Sequence, residues 1–341
     1  MKLRHELLAG ARRVVVKVGT GLLTDDAHRL SPQRVAALVA QLAALREPKR
    51  QVLLVSSGAI AAGMAELGLT ARPKQLHELQ AAAAIGQGKL MALYDVAFGK
   101  HSLSVAQILL THDDLKNRDR HLNARNTIET LLARAIVPII NENDTVAVDE
   151  IKFGDNDQLG ALTATLIDAD LLIILSHVEG LLDAGKKVIP VVPEITHDIQ
   201  ALAGGTDRVT SVGGMKSKIE AARIVTRSGI PMIIANVLTG IMAGEEVGTI
   251  FLPKAGKLES RKRWIAFFQK PVGILVVDDG ARAALCDGGK SLLAKGVVRT
   301  EGKAAVGDVV SIHDSRGNEI ARGLVKAMTG VMVHRDDLVI L

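Results

Sequence analysis

A succession of short apolar runs constrains this chain more than any other feature. Each run ends in small or polar residues, and most are followed by a segment with helical spacing. The runs are Arg13-Val14-Val15-Val16-Lys17-Val18, Val52-Leu53-Leu54-Val55, Leu103-Ser104-Val105-Ala106-Gln107-Ile108, Ala135-Ile136-Val137-Pro138-Ile139-Ile140, Leu171-Leu172-Ile173-Ile174-Leu175 and Ile230-Pro231-Met232-Ile233-Ile234-Ala235. Most are apolar throughout rather than at alternate positions, as strands buried on both faces are. Between them, Ser31-Pro32 opens a helix with Val35, Leu38, Val39, Leu42 and Leu45 as its apolar stripe and proline at the first helical position. A long Ala-rich helix runs from Gln75 to Phe98, and a later one carries Leu159, Leu162, Leu166 and Ile167. Strands alternating with helices predict an α/β fold whose mostly parallel sheet is covered on both faces, with right-handed crossovers.

The pattern changes near residue 254. Lys254, Lys257, Arg261, Lys262 and Arg263 form a basic stretch with the character of a linker. Beyond Lys270-Pro271 come short strand-like pieces around Gly273–Val277, Val309–Ile312, Glu319–Arg322 and Val331–Val333, separated by Gly-rich turns. The expected organisation is an α/β domain over residues 1–257 and a small β domain over residues 270–341.

With 341 residues and 48% apolar content, the chain can build two cores. Aromatics at 2% argue against base-stacking platforms. The net charge of +5 suits a small anionic ligand as well as nucleic acid. A lone cysteine, Cys286, excludes an internal disulfide framework and fits a reducing cytoplasm. No stretch is long and apolar enough to span a membrane.

The residues that suggest chemistry lie where strands run out. Asn141-Glu142-Asn143-Asp144 and Gly154-Asp155-Asn156-Asp157 follow one apolar run and precede a helix. Helix capping accounts for one or two of these side chains, but not for so many. Ligands of open α/β sheets bind in this crevice, beyond the carboxyl ends of the strands. Lys17 sits within a valine run just before Gly19-Thr20-Gly21, where its ammonium needs a partner and free backbone N–H groups can cradle a phosphate. Ser56-Ser57-Gly58-Ala59 repeats the arrangement one strand over. Gly213-Gly214-Met215-Lys216-Ser217-Lys218 sets two lysines at a helix start, against the helix dipole, as a shared polyphosphate would justify. A Walker A loop is missing: Gly180 to Lys186 has the spacing, but Lys187 stands where Ser or Thr should hold magnesium. Histidines show no metal-ligand spacing, so any metal is expected as Mg²⁺ carried by phosphates rather than by a protein site. Lysines at glycine turns beside a carboxylate–amide cluster fit phosphoryl transfer.

The same residues resemble a known family. Val15-Val16-Lys17-Val18-Gly19-Thr20, Ser56-Ser57-Gly58-Ala59-Ile60-Ala61-Ala62-Gly63, Asn141 to Asp144, Gly154 to Asp157 and Gly213-Gly214-Met215 are similar to the motifs of the glutamate 5-kinases within the amino acid kinase family. The resemblance runs through nearly the whole chain. The tail, ending Val333-His334-Arg335-Asp336-Asp337, resembles a PUA domain shortened by some two dozen residues after Lys326. The resemblance implies a three-layer amino acid kinase sandwich and ATP-dependent phosphorylation of the glutamate side-chain carboxylate, the first step of proline synthesis. N-acetylglutamate or aspartate as acceptor, an RNA-binding protein and a non-catalytic amino-acid sensor are the alternatives. Lys17, Lys218 and Asp157 would be catalytic, with Asp157 orienting the lysines. Ser57, Asp144 and Asn156 would bind glutamate, Asp144 through its α-ammonium. Lys17, Gly19, Ser176, His177, Val212, Gly213, Gly214, Met215, Lys216, Ser217 and Lys218 would line the ATP. The resemblance further implies Mg²⁺ with ATP, proline as feedback inhibitor, the next enzyme of proline synthesis as a partner and a homo-oligomer. Ser176-His177 and Leu182-Asp183-Ala184-Gly185 depart from the family pattern, so nucleoside recognition is expected to differ. The shortened, aromatic-poor tail argues against RNA binding.

Overall fold

A computed structural model describes residues 2–26, 29–46, 50–147, 156–203, 214–254 and 260–341. The chain divides into two compact units, Met1–Gly256 and Lys257–Leu341.

The first unit is built on an eight-stranded sheet. Its strands are β1 (Arg13–Val18), β2 (Gln51–Ser56), β3 (Val105–Leu110), β4 (Val137–Glu142), β5 (Leu171–Leu175), β6 (Val191–Val192), β7 (Met232–Ala235) and β8 (Thr249–Phe251), in the order β3-β4-β2-β1-β5-β7-β8-β6. All neighbours are parallel except β7 and β8, which makes the sheet mostly parallel as expected. β4 and β5 are buried at every residue, and β1 and β2 at all but their first. That is why their sequences show no polar alternation.

The described helices of this unit are α1 (Lys2–Ala9), α2 (Pro32–Leu45), α3 (Ala59–Glu66), α4 (Leu76–Gly99), α5 (His112–Lys116), α6 (Arg118–Ala133), α7 (Asn156–Leu166), α8 (His197–Leu202) and α9 (Met215–Arg227). On one face of β1, Val14, Val16 and Val18 join a core with Val35, Leu38 and Leu42 of α2 and Tyr94 and Phe98 of α4. Ser31 caps α2 by accepting the Arg34 N–H, and Pro32 follows as its first residue, so the start matches the sequence reading. The opposite face of β1 carries Lys17, against which Gly160 of α7 packs. Helices therefore cover both faces of the sheet, giving three layers. α3 and α4 meet at Gly63 and Gly86. A Cβ at Gly63 would lie 1.8 Å from the Ala82 carbonyl oxygen, and one at Gly86 1.8 Å from that of Ala59.

Some boundaries differ from the sequence reading. The strand read as Leu103–Ile108 runs Val105–Leu110. The strand expected to stop at Ile140 continues through Asn141 and Glu142, which pair with Leu109 and Leu110. The near match to a Walker loop at Gly180–Lys186 belongs to a turn closed by a Leu182–Val188 bridge, not to a strand–helix junction.

The second unit opens with α10 (Ser260–Arg263) and a wider π-helical turn, Trp264–Phe268, that buries Ile265, Ala266 and Phe268. Part of the basic stretch read as linker is thus ordered structure. β9 (Gly273–Val277), α11 (Asp279–Cys286), β10 (Leu292–Leu293), β11 (Val297–Gly302), β12 (Val309–His313), β13 (Glu319–Val325) and β14 (Val331–Ile340) follow. The strands form one sheet in the order β10-β14-β13-β12-β9-β11. Lys326 N–H donates to Met332 O (2.8 Å), so the short link between β13 and β14 closes as a hairpin. Leu275, Val277, Val310, Ile312 and Val333 centre its core.

Candidate active site

Four parallel strands end in step at one edge of the first sheet. Gly19 N–H, just past β1, donates to Leu175 O of β5 (3.3 Å). Ser57 N–H, just past β2, donates to Val18 O (3.2 Å), and Ser176 N–H, just past β5, donates to Ala235 O of β7 (2.9 Å). This edge collects most of the residues singled out from the sequence.

Asp157, in the first turn of α7, is fully buried. Lys17 Nζ lies 2.5 Å from its Oδ1, and Lys218 Nζ, from the first turn of α9, lies 2.9 Å from its Oδ2. Ser217 Oγ stands 2.9 Å from the same Oδ2 and 2.8 Å from Gly214 O, one hydroxyl hydrogen facing two acceptors. Both lysines are 5% exposed, so two cations and one anion are held out of water together. Burial by itself raises the Asp157 carboxyl. The two ammonium groups outweigh it and hold the carboxyl at about 2. Lys17 reaches this place because strand alternation turns it to the α7 face, where Gly160 leaves room for its stem. A Cβ at Gly160 would stand 3.3 Å from Lys17 Cβ. Among the described residues the cluster holds two buried cations and one anion, an arrangement that favours an anion arriving beside it.

Beside this cluster lies an open cleft lined by Ser57, Gly58, Asn141, Glu142, Asp144 and Asn156, with Thr20, Met64, Arg72 and the first residues of α3. Asn156 precedes Asp157 and so joins cleft and cluster. Its Nδ2 donates to Ser56 O (2.6 Å) and to Asn141 Oδ1 (2.8 Å). Asn141 Nδ2 in turn donates to Gln87 Oε1 of α4 (2.8 Å). Ser56 Oγ donates to Ser57 O (2.9 Å), so the Tyr94 hydroxyl, 2.8 Å away, is the donor to Ser56 Oγ. Gly58 takes φ +107°, a left-handed turn open to glycine, and turns the chain into α3. No side chain caps α3, so its first N–H groups face the cleft as anion donors. Asp144 is half-buried on the turn after β4. Burial pushes its carboxyl up to about 6, against the pull of the Arg72 cation.

The structure thus brings Lys17, Asp157, Ser217 and Lys218 into one cluster, and Ser57, Asp144 and Asn156 into one cleft. Gly19 and Ser176 sit at adjacent strand ends, Ser176 buried and His177 exposed. Gly214 caps α9, whose first residues are Met215 and an exposed Lys216. Val212, Gly213, Gly154 and Asp155 lie outside the described residues. Sequence reasoning missed Gln87, Tyr94, Arg72 and Gly160. Tyr94 alone left a signal, as the one tyrosine of the chain, set in an Ala-rich helix. Among the described residues, no group of three His, Cys, Asp or Glu is placed to hold a metal ion, and none of the helices is long and apolar enough to cross a membrane.

The family model described as the amino acid kinase family matches residues 12–236, and the PUA domain model matches residues 273–337. The glutamate 5-kinase of Pelobacter propionicus is 43% identical over 373 aligned positions, covering 99% of this chain and all of that protein. The glutamate 5-kinase of Caldanaerobacter subterraneus subsp. tengcongensis is 50% identical, covering 92% of this chain and 87% of the relative. That of Geobacter sulfurreducens is 46% identical, covering 98% and 93%. Among solved structures, a Giardia carbamate kinase superposes with a TM-score of 0.52 at 16% identity, covering 72% of this chain and all of that one. At that identity the likeness is one of fold.

Proposed function

The chain belongs to the amino acid kinase family, among the glutamate 5-kinases, and from that premise we propose that it transfers the γ-phosphoryl group of ATP to the side-chain carboxylate of L-glutamate. The product is L-glutamyl 5-phosphate, the first intermediate of proline synthesis. The observation that carries this reading is the pair of buried lysines, from β1 and α9, fixed on Asp157 beside a cleft of amide and carboxylate groups.

In the reaction a carboxylate oxygen of glutamate bonds to the γ-phosphorus while the bond to the bridging oxygen of ADP breaks. The attacking carboxylate is already ionised at neutral pH, so no general base is required. Lys17 and Lys218 stabilise the charge on the phosphoryl oxygens in flight, and Asp157 fixes both ammonium groups before substrate arrives. Ser57, Asn156 and Asp144 hold glutamate, Asp144 through the α-ammonium. Gly19, Ser176, His177 and the start of α9 from Gly214 to Lys218 border the nucleotide. Among the described residues, the carboxylate in the lysine cluster, Asp157, is already engaged by two cations, which fits a Mg²⁺ carried on the nucleotide phosphates rather than in a protein cage. That ion neutralises phosphate charge when bound. The enzyme works in the cytoplasm.

A coupled assay of ADP release across glutamate, N-acetylglutamate, aspartate and UMP tests the reading. Glutamate should give the highest kcat/KM. Faster turnover of the acetylated compound, which lacks the ammonium, would remove Asp144 from its role. Proline added to the same assay, and light scattering, test the feedback and self-association that family membership suggests. A pull-down with the next enzyme of proline synthesis tests that partnership.

A further inference from the structure

Cleft and cluster together present an order of charges. At one end are the two lysines on Asp157, and along the cleft stand two carboxylates, Glu142 and Asp144. Among the described residues lining the cleft, Arg72 is the one cation. It sits on the loop between α3 and α4, exposed to solvent, with Pro73 restricting its backbone toward extended conformations. The element behind it is fastened to the turn that bears Asp144. Gln80 Nε2 of α4 donates to Ala147 O (3.2 Å). That turn is closed by Ala147 N–H and Val146 N–H on Asn143 O (3.0 and 3.1 Å) and by Thr145 Oγ on Asn143 Oδ1 (2.7 Å). Arg72 and Asp144 line the same cleft, near enough for the Arg72 charge to pull against the burial that raises Asp144.

A glutamate in this cleft brings three charges. The side-chain carboxylate goes to the lysine end and the ammonium to Asp144. The α-carboxylate is left near two carboxylates of the protein, which repel it; the N–H groups at the start of α3 and the one cation among the described lining residues offset that repulsion. We propose that Arg72 binds the α-carboxylate of the amino-acid substrate and makes the cleft selective for amino acids in which that carboxylate is free. The proposal rests on the reading of this cleft as the glutamate site. A guanidinium suits the role because its planar fork matches a carboxylate with two parallel hydrogen bonds.

The test uses glutamate and its α-carboxamide analogue, which keeps the ammonium and the side-chain carboxylate but has no α-carboxylate charge. Dissociation constants come from calorimetry, and kcat and KM from ADP release, on the full chain and on its Arg72→Gln and Arg72→Lys variants. The unaltered protein should bind glutamate more tightly than the amide by about tenfold or more. Arg72→Gln should weaken glutamate binding by a similar factor, leave the amide within about twofold, and keep kcat within about threefold. Arg72→Lys should retain part of the preference, since an ammonium pairs without the fork. Equal binding of glutamate and amide by the unaltered protein overturns the proposal, and so does a preference that survives Arg72→Gln. If the unaltered protein fails to phosphorylate glutamate, the reading of the site falls, and this proposal with it. A loss confined to the comparison of Arg72 variants overturns only the role of Arg72.

Discussion

Two buried aspartates, one in each unit, are each held by two cations, and they differ in where those cations stand. Asp157 is fully buried, and the side chains of its partners Lys17 and Lys218 are 7% and 6% exposed. Asp337, on β14, is 1% exposed, but Arg261 (2.5 Å) and Lys326 (3.0 Å) reach it with side chains about half in water. In the second unit the cations keep most of their hydration and cover an inward carboxylate, joining α10 and the end of β13 to the last strand. In the first unit the cations themselves have left water. A protein gains little stability from such an arrangement, since desolvating charges costs about what their attraction returns. The contrast separates a fastening from a prepared site.

The sharpest way to break the comparison is to remove each carboxylate and each pair of cations in turn. Lys17→Ala or Lys218→Ala should lower kcat by roughly a hundredfold or more, as loss of a preorganised charge donor does. Asp337→Asn should leave kcat within about twofold and lower Tm instead, at a cost of about 1 kcal/mol. Turnover near the unaltered value in both lysine variants would put the two aspartates in one class.

A second experiment uses acid. The Asp157 carboxyl is depressed to about 2, so its ion pairs are present above the ordinary carboxylate range and are lost only as pH falls through about 2. Asp144 is raised to about 6, so it takes up its proton as pH falls through about 6 and would lose the pairing proposed for it with the substrate ammonium. Glutamate KM should therefore rise several-fold from pH 7 to pH 5 while the ATP KM stays nearly level. Because a raised carboxyl favours folding at low pH and opposes it above its folded value, Asp144→Asn should raise Tm at pH 7.5 and not at pH 4. A flat glutamate KM over that range would remove Asp144 from substrate recognition.

A third experiment deletes the second unit. A chain ending at Gly256 should fold, by circular dichroism, and keep kcat within about tenfold, because every residue placed in the chemistry lies in Met1–Gly256. A loss of a hundredfold or more would mean that the half-solvated fastening also serves the site.

The first sheet was readable in the sequence because buried parallel strands carry continuous apolar runs, and β1, β2, β4 and β5 are buried almost throughout. β6 and β8 are two and three residues long, too short for any period to show. β11 escaped for another reason: it lies at the sheet edge, and its residues after Val297 are exposed, including Arg299 and Glu301. Edge strands with charged faces show no apolar pattern. In the site, Lys17 and Lys218 could be found because a charge inside an apolar run, or a cation at a helix start, conflicts with local preference, and Asp157 because it stands among more acidic and amide side chains than capping explains. Arg72 and Gln87 could not, and Tyr94 stood out only as the one tyrosine of the chain. An exposed arginine on a loop is ordinary by itself, and a helical glutamine or tyrosine acquires its meaning from the strand that happens to lie opposite. Asn141 shows the same limit, since only the register of β3 and β4 makes it a strand residue with its amide facing Gln87 and Asn156.

The contact of Gly63 with Gly86 carries a consequence for how this enzyme can change. At this contact α3 and α4 pack backbone on backbone with no side chain between them, and α3 supplies the cleft with its N-terminal wall. A single methyl at either position would act as a wedge, costing about 1–3 kcal/mol of overpacking at the least. The displacement would arrive at Gly58 and Ser57 as a shift in the substrate's seat. Lineages can therefore retune the cleft through the loop that joins the two helices, where Arg72 sits, but not through the seam between them. Variation in acceptor preference should collect in residues 67–75 while the seam stays fixed.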